Sequence, residues 1–115
     1  MKKLKDLNIP KIEKKAIRAF SREVKQKLGK QLLELKLYGS KVRGDWRKES
    51  DIDIYLVVKK YSERKNSIVL SAADKVFWKY NVDVTPVTWT EYERKRNMQM
   101  GSPYFNSVLK EGMSL

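Results

Sequence analysis

Asp51-Ile52-Asp53 opens a run of apolar residues, and side chains at i and i+2 of a strand project from the same face. Two carboxylates held that close repel each other and are costly to bury without a counter-ion. The neighbouring Ser50 brings a hydroxyl but no positive charge. A hard divalent cation, Mg²⁺ or Mn²⁺, resolves the conflict, because it takes carboxylate and phosphate oxygens together. The bland alternative is a pair of solvated acids at the start of an ordinary strand.

Two further features bear on that choice. Upstream, Tyr38 leads into Gly39-Ser40 and then Lys41-Val42-Arg43-Gly44. A glycine at a strand exit lets the backbone come close to a ligand, and successive amides there can form an anion-binding nest. Lys41 and Arg43 can set charge against phosphates. A plain strand-to-helix turn would use the same residues. Downstream, Asp83 lies between Val82 and Val84, so it projects from the face opposite these two. If its strand lies beside the Asp51–Asp53 strand, three carboxylates could hold two metal ions for in-line attack on a nucleoside triphosphate. Otherwise Asp83 is a solvent-facing acid on an edge strand.

The elements that would position these groups can be read from periodicity. Ile12, Ala16, Ile17, Phe20, Val24 and Leu28 recur at spacings of three and four, predicting an amphipathic helix over 11–28 that ends at Gly29. Strands are expected at 32–38, 52–58 and 82–89, the last demoted to an edge or a bulge by Pro86. A helix is expected from about 65 to 80, ended by Asn81. Thr90 with Glu93 forms a capping box for a basic helix, and Ser102-Pro103 starts a last helix that stops at Gly112. The fold class is therefore α/β (α+β), a small mixed β-sheet flanked by helices, in one domain over 1–115.

The stretch Tyr38-Gly39-Ser40-Lys41-Val42-Arg43-Gly44, a short loop, then Ser50-Asp51-Ile52-Asp53-Ile54 resembles the signature of the minimal nucleotidyltransferases, the smallest members of the DNA polymerase β-like superfamily. The likeness extends through Asp83 into the tail from Gly101 to Gly112. It departs at Lys41, where many members place Arg, losing the planar guanidinium fork. The resemblance implies the polymerase β-like nucleotidyltransferase fold and a two-metal transfer of a nucleoside monophosphate. By motif position Asp51, Asp53 and Asp83 would be catalytic and bind Mg²⁺, with Mn²⁺ as a substitute, and Asp83 would help deprotonate the acceptor hydroxyl. Gly39, Ser40, Arg43 and Ser50 would serve the nucleotide, Arg43 either countering triphosphate charge or bracing the loop. Many such proteins pair with a small helical HEPN toxin as its antitoxin, moving AMP from ATP onto a toxin tyrosine. The alternatives are an antitoxin that works by binding alone, and nucleotidyl transfer to an RNA end.

Composition sets the outer limits. The 115 residues include no histidine and no cysteine, which removes imidazole bases, Ser-His-Asp triads, thiol nucleophiles and His- or Cys-bound zinc. The net charge of +12 calls for an anionic partner, whether nucleotide, nucleic acid or acidic protein, or else marks the charge-rich surface of a protein from a hot environment. No apolar stretch approaches the roughly 20 residues that span a bilayer, and residues 1–6 lack the apolar core of a signal peptide. A cytoplasmic protein with no membrane partner is expected. Phe77 and Trp78 are expected to pack on the sheet, and Trp89 with Tyr92 to staple a helix start. Trp46 is either an exposed stacking group or an anchor for its loop. The run 93–96 reads as a solvated helix face.

Overall fold

A computed structural model describes residues 2–115. Helix α1 (Lys11–Leu28) buries Ala16, Ile17, Phe20, Val24 and Leu28, the stripe expected from their spacing. Its end is set by Gly29, whose φ of 53° is costly for any residue with a Cβ. Strand β1 (Leu32–Tyr38) follows, then the one-turn helix α2 (Ser40–Arg43) and strand β2 (Ile52–Val58). Helix α3 (Glu63–Tyr80), strand β3 (Val84–Thr90), helices α4 (Glu91–Gln99) and α5 (Pro103–Glu111) and the two-residue strand β4 (Met113–Ser114) complete the chain.

The strands form one mixed sheet in the order β3-β2-β1-β4, antiparallel except for the parallel pair β2 and β3. Pro86 is tolerated because β3 lies at the sheet edge. Alternation along the strands produces two faces. Leu35, Leu37, Ile52, Ile54, Leu56 and Val58 pack with α1 and α3 in the main core, where Ile17, Phe20 and Val24 have no exposed surface. Tyr55 and Val57 point the other way, onto Phe105 and Val108 of α5, with Tyr38, Trp89, Met98 and Tyr104 around them. At about 25 cal/mol per Å² of apolar surface, each fully buried side chain of this size contributes roughly 1.5–3 kcal/mol.

Both predicted caps form. Thr90 Oγ1 accepts from the Glu93 amide at 3.1 Å while Glu93 Oε1 accepts from the Thr90 amide at 2.9 Å. Ser102 Oγ accepts from the Phe105 amide at 3.4 Å, with Pro103 at the first helical position. The run 93–96 is only partly the solvated face expected: Lys95 and Arg96 are exposed and reach Glu91 and Tyr92, whereas Arg94 turns inward to Glu34 of β1.

The structure corrects several expectations. Helix α3 starts two residues early, at Glu63, because the Ser62 hydroxyl accepts from the Lys65 amide and caps it. Strand β3 begins at Val84 rather than Val82, since Asn81 leaves α3 in a left-handed conformation and Val82-Asp83 are spent turning the chain. Phe77 and Trp78 do not pack on the sheet; Trp78 is 83% exposed, and the two rings stack edge-on against each other. The core side of α3 is taken by Val69, Ala72 and Val76, which leaves these aromatics facing outward. Trp89 and Tyr92 form no staple: Trp89 packs against Phe105 at 5.0 Å, and Tyr92 is exposed. Among the described residues, no helix is long and apolar enough to cross a membrane.

Candidate active site

Glycine at position 39 is dictated by the acid beside it. Its backbone sits at φ 85°, ψ −155°, a region open essentially to glycine alone. A Cβ built there would lie 2.6 Å from Oδ2 of Asp53. The ladder explains the approach, because Tyr38 pairs with Asp53 across β1 and β2, delivering the turn after Tyr38 to the Asp53 carboxylate.

Asp53 is half-buried and Asp51 exposed. Burial pushes the Asp53 carboxyl above the usual carboxylate range, the Asp51 charge pushes it further, and Arg43 pulls it back. Ile52 pairs with Val84 in the parallel ladder, so Asp51 and Asp83 each stand one residue ahead of a paired position, at the starts of neighbouring strands. Asp83 nevertheless faces solvent, and among the described residues no three acidic side chains stand close enough to hold a metal ion between them. The structure therefore brings Asp51 and Asp53 together and places Asp83 alongside without closing the cluster.

The flanking residues divide by role. Arg43 donates to Asp45 and to Glu111, both at 3.3 Å, joining the loop after α2 to the end of α5; these hydrogen bonds raise its pKa further. Of its two anticipated roles, bracing is visible, and its influence on Asp53 keeps the electrostatic one open. Ser50 accepts from the Arg47 amide at 2.7 Å and returns its own amide to the Arg47 carbonyl, closing a turn immediately before Asp51. Ser40 is the first residue of α2, partly accessible, with no side-chain cap bond.

Lys41 departs from its expected part. It is 2% exposed, its ammonium 3.0 Å from Oε1 of Glu13 in α1 and 4.1 Å from the centroid of the Trp46 ring. The reason is helical direction: in a one-turn helix the residue after Ser40 faces α1 rather than the acids. Trp46 is a loop anchor, its indole N–H donating to the Asn8 carbonyl at 3.1 Å. Lys41 thus fastens the motif loop to α1, and Trp46 fastens it to the segment that precedes α1.

One part of the site was missed in the sequence. Tyr38, register partner of Asp53, stacks edge-on against Tyr104 at 5.6 Å, and Tyr104 continues to Phe105 and Trp89. Burial drives the Tyr38 hydroxyl well above its ordinary pKa, with Tyr104 and, least, Asp53 adding to it. This aromatic wall closes the α5 side of the acids. Alternation along β1 places Tyr38 on that face, but the contact with α5 depends on packing that no local pattern encodes.

The donor set fits a hard divalent cation. It consists of carboxylate oxygens without imidazole or thiolate, and Asp53 carries a half-buried charge with a like charge beside it.

Comparison with known proteins bears directly on this geometry. Residues 17–111 match the sequence profile of the nucleotidyltransferase domain. Two proteins of Methanocaldococcus jannaschii named as candidate protein adenylyltransferases are similar. MJ0604 is 32% identical over 103 residues, covering 90% of this chain and 97% of the relative. MJ0141 is 28% identical over 74 residues, covering 64% of this chain and 75% of the relative. Two solved structures share the fold. A toxin-antitoxin with AMP-PNP has a TM-score of 0.54 at 20% identity, covering 83% of this chain and 68% of that one. A substituted form of the toxin-antitoxin MntA-HpeT has a TM-score of 0.52 at 22% identity, covering 90% and 70%.

Proposed function

Since the chain belongs to the nucleotidyltransferase domain family and is a nucleotidyltransferase, whose family typically works with a divalent metal, we propose that it moves AMP from ATP onto a tyrosine of a partner HEPN-type toxin and so acts as its antitoxin. The observation that carries this reading is the Asp53 carboxylate resting over Gly39, where no Cβ fits. It sets an acid that could ligate a metal against a turn whose backbone amides could receive a triphosphate. The relatives named for protein adenylylation support a protein acceptor, and the toxin-antitoxin structures that share the fold are consistent with a toxin as that protein.

In this reading Asp51 and Asp53 would hold Mg²⁺, with Mn²⁺ as a substitute, and Asp83 would have to draw in from the start of the neighbouring strand for a second ion to be held. The bound metal would neutralise phosphate charge and lower the pKa of the attacking hydroxyl. The backbone at Gly39 and Ser40 receives the triphosphate, Arg43 counters its charge while bracing the loop, and Ser50 sets the turn that aims Asp51. The acceptor oxygen bonds to the α-phosphorus, the bond from that phosphorus to the β-bridging oxygen breaks, and pyrophosphate leaves. Asp83, exposed at the start of β3, takes the acceptor's proton. Residues 1–115 serve as one catalytic domain in the cytoplasm.

Incubating the chain with ATP, Mg²⁺ and its neighbouring-gene product should add one adenylyl mass to that product. No increment, where a known adenylyltransferase gives one, would refute the reading. Leu70, Phe77 and Trp78 stand exposed on α3, as residues that dock a partner would, and docking could by itself neutralise a toxin. Asp51→Asn with Asp53→Asn separates the two, since a binding-only antitoxin would still protect cells.

A further inference from the structure

Helix α1 carries Lys11, Lys14, Lys15, Arg18, Arg22 and Lys25 at intervals of three and four residues, on the side opposite its buried Ala16, Ile17, Phe20 and Val24. At 1.5 Å per residue this stripe runs about 21 Å. All six are basic, and all but Lys14 are exposed; Lys14 is spent on the Lys5 carbonyl at 2.8 Å. The helix has two acids, and both are engaged elsewhere: Glu13 with Lys41, Glu23 with Lys27 and Lys75. Among the described residues, no member of the stripe is paired with an acid.

This arrangement differs from an ordinary solvated face. A charge-rich surface tuned for stability interleaves Glu with Lys, because opposite charges at i and i+4 support a helix and like charges destabilise it. Here every such neighbour along the stripe is a like charge, an arrangement that an external polyanion would relieve. Protein interfaces are depleted in lysine and built around apolar or aromatic centres, which the stripe lacks. It also lacks the aromatic platforms that stack single-stranded bases. Regularly spaced cations without apolar or stacking groups suit a row of phosphates. Next to the stripe, Lys3 joins Arg18, Arg22 and Lys25 around a groove of about 480 Å³ whose floor is completed by Leu4, Ser21, Ser114 and Leu115.

We propose that the solvent face of α1 is a docking surface for the phosphate backbone of a nucleic-acid duplex. Binding is independent of sequence. Duplexes of DNA and of RNA both present such a row of phosphates, so both should bind.

The test is titration of the full chain with a 20-base-pair DNA duplex and the same duplex in RNA across a salt series. Five exposed cations on phosphates give a slope of log K against log salt near −4.5, about a 500-fold loss from 50 to 200 mM. Arg18→Ala, Arg22→Ala and Lys25→Ala together should cut that slope by about 2.7. The control triple Lys59→Ala, Lys60→Ala and Arg64→Ala removes the same charge elsewhere and should leave the slope unchanged. Circular dichroism checks that both triples are folded. Equal losses in the two triples would overturn the proposal, leaving net charge as the cause. No binding to either duplex at 50 mM salt would overturn the proposal outright. A polyglutamate peptide that binds the stripe as tightly as the duplexes would overturn it in favour of an acidic protein.

Discussion

Replacing Gly39 by alanine should separate the cost of a strained backbone from the cost of a displaced carboxylate. At φ 85°, ψ −155° any residue with a Cβ pays about 1–3 kcal/mol. That alone should lower the melting temperature by several degrees. The second cost is particular to this position: the new Cβ would lie 2.6 Å from Asp53 Oδ2, so the carboxylate must move. A misplacement of about 1 Å in a catalytic constellation costs on the order of 10²-fold in rate. Gly29 supplies the comparison, since it also has positive φ, at 53°, but an added Cβ meets nothing within 4 Å. Both variants should lose stability to a comparable degree. Only Gly39→Ala should lose nucleotidyl transfer, by about 100-fold or more, in a discontinuous assay for pyrophosphate release run well below either melting temperature. Wild-type activity in folded Gly39→Ala, or equal losses in the two variants, would refute the link between the turn and the acid.

Three other outcomes follow from the same structure. Asp53 has a folded-state carboxyl pKa above its unfolded value, so the metal-free fold binds its proton more tightly and loses stability as pH rises from the ordinary carboxylate range through the raised value; Asp53→Asn should remove that loss, stabilise the metal-free protein at neutral pH and abolish stabilisation by Mg²⁺, as read by thermal melts with and without the ion. Lys41→Met strands Glu13 beside a buried site and should cost about 2–4 kcal/mol, below the 3–5 of a fully enclosed pair because Glu13 keeps some exposure; urea denaturation should show Glu13→Gln restoring part of it. Phe20, with no exposed surface at the centre of α1, should cost about 3–5 kcal/mol when cut to alanine, measured the same way.

What could be read in advance follows the range of the forces involved. The helix over 11–28 and the strands at 32–38 and 52–58 appear with the bounds expected, because one-sided burial imposes a period on neighbouring residues. Asp51, Asp53 and Gly39 were legible for the same reason, since i, i+2 geometry and the strand exit are local. The clash between a Cβ at 39 and Asp53 was not, because it rests on the Tyr38–Asp53 register. Strand β4 escaped notice, as two residues carry no period and exist by pairing with Lys36 and Leu37. Lys41 was aimed at phosphate by its charge, but its burial depends on Glu13 and Trp46 arriving from either side. Asp83 had the correct face; its distance from the other acids depends on where Asn81 releases the chain from α3.

The account's central claim is that Asp51 and Asp53, with the Gly39 turn, form a metal-dependent nucleotide site. Calorimetric titration with a non-hydrolysable ATP analogue, with and without Mg²⁺, tests it most directly. Wild type should bind with Mg²⁺ and lose most of its affinity without it, and folded Asp51→Asn, Asp53→Asn should show no Mg²⁺-dependent binding. Tight binding in the absence of metal, or an unchanged isotherm in the double variant, would contradict it.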